Sequence, residues 1–188
     1  DLIRSRGLGD VYKRQGLSFI SMSKKAWKAS ENSDLPKFYL NLRSYLKSLG
    51  TNSNPYTPAV NLVFALDESL KMMKEEGLEN IIARHNKHKL AISSSAKALN
   101  LKLFADEGHL SPSVTAIETE GLNAEDFRKK IKDNYDILIA GGQDYLKGKI
   151  FRIGHLGYIN DRDVICVIAA ISNTLLAENK ISPQQAGE

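Results

Sequence analysis

The chain has 188 residues, 42% of them hydrophobic and 26% charged, with a formal charge of +4. That is the composition of a soluble globular domain, or part of a larger one, and it excludes a disordered or membrane-embedded chain. Residues 1–15 hold four basic and two acidic residues, leaving 22 basic against 20 acidic elsewhere with no Lys/Arg strip interleaved with aromatics, so no nucleic-acid partner is expected.

Cys166 is the single cysteine, which excludes an internal disulfide and a Cys-rich zinc or iron–sulfur site built by this chain and fits a reducing, cytoplasmic setting. No run approaches the ~18 apolar residues of a membrane span, so no membrane partner is expected. The opening segment DLIRSRGLGDVYKRQ lacks both the apolar centre of a signal peptide and a periodic apolar face. It reads like translated sequencing-library adapter, so the natural protein is expected to join at about Gly16, with residues 1–15 disordered.

From there Leu17–Met22 alternates like a short strand, and Ser23–Asp34, with Trp27, reads as irregular. A helix is predicted over Phe38–Leu49, its stripe of Phe38, Leu42, Tyr45, Leu46 and Leu49 expected in a core and its end set by Gly50. TNSNPYTP, residues 51–58, is a loop by composition. Thr57 suits the N-cap and Pro58 the first position of a helix bearing Val63, Leu66, Leu70 and Met73 as far as Gly77. A second helix follows through Ile82, His85, Ile92, Ala96 and Leu99. Leu101–Ala105 and Val114–Thr119 are predicted strands separated by a polar loop with His109. Asn123 and Asp126 resemble a capping box before a helix with Phe127, Ile131 and Tyr135. Ile137–Ala140 reads as a buried strand, Gly141-Gly142 as a turn, and Ile150–Ile153 as another strand. Asn160 and Asp163 start the last helix, striped by Val164, Val167, Ile168, Ile171 and Leu175, and residues 181–188 read as a frayed tail. The irregular alternation predicts an α/β fold with helices packed on a mixed, mostly antiparallel sheet.

Two places could hold an anion. The helix start at Thr57 would offer free N–H groups, a hydroxyl and the positive end of a dipole to a phosphate, although plain capping explains the same letters. On the Ile150–Gly154 strand, Phe151 and Ile153 face one way and Ile150, Arg152 and Gly154 the other. That puts Arg152 opposite the more apolar face, with room left by Gly154 and Gly157 for a carboxylate in its guanidinium fork; a solvent-facing arginine is the alternative. His85 reads as a satisfied semi-buried residue, His88 as part of a solvated face beside Lys87 and Lys89, and His155 as structural. Cys166 reads as a small core residue of a helix, and Asp144 and Asp161 have no evident catalytic partner. No phosphate-binding glycine loop is present, since GGQDYLKG lacks the required Lys-Ser/Thr.

The succession GLSFISMS, NPYTPAVNLVFALDESLKMMKEEGLENIIARHNK, LFADEGHLSPSVTAI, YDILIAGGQDYLKGKIFRIGHLGY and DRDVICVIAAI resembles the C-terminal half of class V aminotransferases. The branch it is most similar to is that of alanine–glyoxylate and serine–glyoxylate (serine–pyruvate) aminotransferases, from about Gly16 to Leu176. The resemblance implies the C-terminal small domain of a fold-type I pyridoxal-phosphate transferase, a cytoplasmic homodimer acting on a small amino acid and a 2-oxo acid such as glyoxylate. It implies residues 16–58 as the end of a large-domain strand and a connecting segment, 59–180 as the C-terminal domain and 181–188 as the tail. Arg152 matches the arginine that binds the substrate carboxylate. Thr57, with Tyr56 in the same loop, matches the position that reaches the cofactor phosphate of the partner subunit.

The family's Schiff-base lysine would fall near Gly9, inside the foreign-looking leader, and Lys13 is at the wrong spacing. A chain of this sequence is therefore expected to carry no catalytic lysine and to be inactive by itself. Two other readings are a cysteine desulfurase, for which Cys166 would have to lie in a mobile loop, and a cofactor-free dimerisation or interaction domain.

Overall fold

A computed structural model describes residues 16–187, and residues 3–7 as backbone. The expectations for the leader, including the position near Gly9 and Lys13, fall outside these residues, apart from the strand Ile3–Gly7. The chain divides into two compact units, Asp1–Glu75 and Glu76–Glu188.

In the first unit, strand β1 (Ile3–Gly7) pairs antiparallel with β2 (Ser18–Met22), Ile3 opposite Met22. The stretch expected to be irregular after β2 is instead helical: α1 spans Lys24–Ala29 and a 3-10 turn spans Ser30–Asn32. Ser23 caps α1 by accepting from the Ala26 N–H at 3.1 Å, and five of the six helix residues, two alanines and three lysines, are good helix formers. Helix α2 covers Leu42–Leu49, four residues later than predicted, because Asn41 supplies the cap by accepting from the Arg43 N–H. Its aromatic and leucine stripe is not a core: no residue of α2 is buried, and Phe38 before it is 79% exposed. Helical spacing identifies an apolar face but does not require anything to cover it. Helix α3 runs Val60–Glu76 and is ended by Gly77, whose φ of 83° lies in the left-handed region that favours glycine.

The second unit contains α4 (Leu78–Ala98), β3 (Val114–Glu118), α5 (Ala124–Tyr135), β4 (Ala140–Gly141), β5 (Ile150–Gly154), α6 (Asp161–Ala177) and α7 (Pro183–Gly187). The sheet has the order β3-β5-β4, antiparallel throughout. Its core joins Phe151 and Ile153 of β5 and Ile117 of β3 to Ile92 of α4, Phe127 and Ile131 of α5, and Ile171 and Leu175 of α6. The stripes predicted for α5 and α6 thus meet one face of the sheet. Asn160 and Asp163 form a reciprocal capping box at the start of α6.

Three predicted elements differ. Leu101–Ala105 forms only an isolated bridge, Leu103 to Ile117, rather than a strand. Ile137–Ala140 is not a buried strand: Leu138 is 80% exposed and pairing is confined to Ala140–Gly141, because the chain leaves α5 through Asp136 in a left-handed turn. The tail does not fray at Ile181, which is buried in the core and followed by α7. Gly142 is required by packing, since a Cβ there would stand 2.0 Å from the Leu146 carbonyl oxygen. Among the described residues no helix is long and apolar enough to cross a membrane.

Candidate functional site

Arg152 lies in the central strand of its sheet, directly opposite Ala116 of β3 on one side and Ala140 of β4 on the other. Directly paired residues of antiparallel strands share a face, so the arginine rises between two methyl groups on the side away from the helices. Phe151 and Ile153, of opposite parity, are buried against them. Gly154, next on the arginine's face, is exposed and a Cβ there would meet nothing within 4 Å. The side chain is half-buried, and its Nε donates to the Gly141 carbonyl at 2.9 Å. That bond fixes the guanidinium plane and leaves both Nη groups without an acceptor among the described residues.

The carboxylate nearest in register does not neutralise it. Glu118 is opposite Ile150, one step along the arginine's face, and it accepts from Lys102 Nζ at 2.9 Å, with Glu120 3.6 Å from the same nitrogen. The Glu118 hydrogen bond, and then its charge, raise the lysine's pKa. Arg152 is thus a cation on the sheet face away from the helices, closed on one side by the buried Ile150 and open toward Gly154, framed by small residues and without an ion-pair partner among the described residues, an arrangement suited to a planar bidentate anion such as a carboxylate.

Tyr56 and Thr57 belong to the other unit. The Tyr56 hydroxyl donates to the Phe38 carbonyl at 2.9 Å, and its ring sits among Phe38, Tyr39 and Tyr45, with centroids 4.8 to 6.0 Å away. Thr57 is exposed and makes no hydrogen bond among the described residues. It is not the N-cap of α3: that helix begins at Val60, after a turn in which the Val60 N–H donates to Pro58 O and Ala59 accepts the first helical bonds.

Each buried histidine is engaged through at least one ring nitrogen, whereas Nδ1 of His88 and of His155 is buried without a hydrogen-bond partner among the described residues. His85 Nδ1 donates to Ile81 O at 2.7 Å, and its Nε2 accepts from the Gly157 N–H at 3.2 Å, which sets the tautomer. His88 is not on a solvated face but 1% exposed, with Nε2 3.0 Å from Asp161 Oδ1. Asp161 also takes Lys87, and these two partners hold its carboxyl below the usual range. His155 lies 3.0 Å from Thr115 Oγ1, and burial pushes its pKa down to about 4. Cys166 is exposed rather than in the core, because it falls between the stripe positions Val164 and Val167. Among the described residues no group of three or more His, Cys, Asp or Glu is arranged to hold a metal.

Sequence reading missed the cluster around Arg84, which pairs with Glu76 and with carbonyls of the loop after β5. The glutamate is eight residues away across the Gly77 break and the carbonyls more than seventy, so no helical spacing rule could connect them.

No family model matches the chain. Over 161 residues it is 49% identical to a protein of Anabaena cylindrica named as a soluble hydrogenase 42 kDa subunit, covering 86% of this chain and 42% of that one. An uncharacterized aminotransferase of Methanocaldococcus jannaschii is 39% identical over 163 residues, with 85% and 42% covered. The crystal structure of ureidoglycine–glyoxylate aminotransferase from Bacillus subtilis superposes with a TM-score of 0.82 at 30% identity, over 92% of this chain and 46% of that chain. The chain thus spans less than half the length of the relatives it matches. With its helices packed on a small antiparallel sheet, it is a homologue of the class V aminotransferases over their C-terminal portion.

Proposed function

We propose that the chain is the C-terminal part of a pyridoxal-5'-phosphate-dependent aminotransferase that moves an amino group from a small amino acid, alanine or serine, to glyoxylate or another 2-oxo acid. The observation that carries this reading is Arg152: a cation held by Gly141 on the sheet face away from the helices, flanked by Ala116 and Ala140 and without a carboxylate partner among the described residues. Every amino-acid and 2-oxo-acid substrate of such a reaction carries the α-carboxylate that this fork would grip. Glyoxylate in the name of the Bacillus subtilis relative supports the acceptor.

The residues present suit part of a cofactor site. The exposed Thr57 hydroxyl, with Tyr56 beside it, would hold the cofactor phosphate of a partner subunit in a cytoplasmic homodimer. The cofactor, when bound, supplies an electron sink for the pair left by the departing α-proton. Arg152 would fix the carboxylate, and with it the direction of the Cα–H bond, a positioning contribution to the rate. The lysine that moves the α-proton would come from a part of the parent outside residues 16–176. One thiol, exposed on α6, gives a hydrogenase or a desulfurase reading no comparable footing.

The test is Arg152→Ala in the protein restored to the length of its relatives. Losing a bidentate charge-assisted contact should lower kcat/KM for the amino donor and the 2-oxo acid by about 100-fold. Cofactor affinity should stay within about twofold, because the uniform loss falls on the substrate alone. An unchanged kcat/KM with either substrate would remove Arg152 from the site.

A further inference from the structure

Strand β5 is supported unevenly. On the β3 side its pairing continues to Gly154 opposite Val114, but on the β4 side it stops at Arg152 opposite Ala140. Past the arginine, Ile153 and Gly154 have no β4 neighbour, and the loop that follows exposes Leu156, Gly157 and Tyr158. Apolar packing reaches this loop only at its ends, where His155 is buried and Ile159 packs against the core; the residues between need other support. Side chains of α4 supply it.

Arg84 Nη1 donates to two loop carbonyls, Gly157 O at 2.9 Å and Ile159 O at 2.8 Å. Its Nε and Nη2 are taken by Glu76 Oε1 at 2.5 Å and Oε2 at 2.9 Å, so the guanidinium plane is set from behind before it meets the loop. His85 accepts the Gly157 N–H, and both backbone groups of that residue are therefore held by adjacent residues of α4. Gly157 has φ 90°, a conformation that favours glycine. At the far end of the loop, Lys87 and His88 hold Asp161, the first residue of α6. At the near end, the His155 N–H donates to Ser113 O at 2.9 Å.

We propose that Arg84, oriented by Glu76 and assisted by His85, is a positioning residue for Arg152: it locks the loop after β5 and so fixes the half-supported end of the strand that carries the substrate-binding guanidinium. The inference rests on the assignment of Arg152 to the substrate carboxylate. A bidentate fork demands placement to within about 0.5 Å, and β4 supplies none of that constraint beyond Arg152 itself.

Two measurements test it. In the 188-residue chain, Arg84→Ala should speed amide exchange at Gly157 and its loop neighbours by on the order of tenfold while core amides such as those of Ile92 and Val167 keep their protection, the pattern of local rather than global opening. Arg84→Lys, which keeps the charge toward Glu76 without the fork, should fall between. In the length-restored enzyme, Arg84→Ala should raise KM for the 2-oxo acid by about tenfold with kcat within about twofold, and should add nothing in an Arg152→Ala background. Unchanged exchange in the loop, or a KM effect that persists undiminished without Arg152, overturns the inference. If Arg152→Ala alone leaves KM unaltered, the substrate assignment fails instead, and the exchange rates still decide whether Arg84 holds the loop.

Discussion

Phe151 and Phe38 are the same residue type on elements that read as equally apolar, yet the first is fully buried and the second 79% exposed. The contrast extends to their units. In Glu76–Glu188 the stripes of α4, α5 and α6 meet one face of a sheet, and the Phe127 and Phe151 rings lie 5.4 Å apart at its centre. In Asp1–Glu75, Ala26 is the one buried hydrophobic residue among those described, while Leu40, Leu49 and Phe64 are 69 to 77% exposed. Burial removes apolar area from water; an apolar letter without cover removes none. The cohesion of the chain therefore resides in its second unit.

The sharpest way to break this contrast is to truncate both phenylalanines. Phe151→Ala leaves a cavity under the helices and should cost about 3–5 kcal/mol, enough to unfold many small domains. Phe38→Ala should stay within about 0.5 kcal/mol, the range of surface changes. Urea unfolding of the 188-residue chain measures both. Comparable losses would mean that the first unit has a core of its own.

The same contrast explains what the sequence could convey. The face assignment of Arg152 followed from strand parity alone, and the Asn160/Asp163 capping box from a three-residue spacing, because each is a local rule. The core role expected of Phe38 and Leu49 depended on a neighbour that periodicity cannot supply. The flanking Lys87 and Lys89 suggest a solvated His88, whereas the ring is buried and its hydrogen-bond partner Asp161 lies 73 residues away. The frame of the candidate site is legible through parity, and the Arg84 contacts are not, because they join a carboxylate across the Gly77 break and distant backbone carbonyls, which carry no residue identity.

A second probe uses pH. Burial lowers the His155 pKa from the ordinary 6.5 to about 4, and the neighbouring His88 and His85 oppose a further positive charge there. Below pH 6.5 the unfolded chain takes up a proton that the folded one refuses. The contribution of the neutral histidine is thus complete above 6.5 and is lost as pH falls toward 4, by about 3 kcal/mol across the window. His155→Gln, which keeps polarity without a titrating ring, should flatten that part of the pH–stability curve while leaving the acid limb set by Glu76 and Asp161. A curve for His155→Gln that still fell between pH 6.5 and 4 as the parent's does would assign the loss to other groups.

The smallest effect discriminates between cohesion by packing and cohesion by end-group satisfaction. Asn160 accepts from the Asp163 N–H at 3.2 Å and Asp163 accepts from the Asn160 N–H at 2.9 Å, satisfying two donors that α6 otherwise leaves open. Asn160→Ala should cost about 1 kcal/mol. At the first unit's cap, Asn41→Ala removes a similar bond to the Arg43 N–H, but α2 has no buried residue to transmit the loss. The global unfolding midpoint should therefore move for Asn160→Ala and stay fixed for Asn41→Ala, whose effect would appear only as local fraying of α2. Equal midpoint shifts would show that the two units unfold as one cooperative body, with the first contributing its share despite its uncovered apolar face.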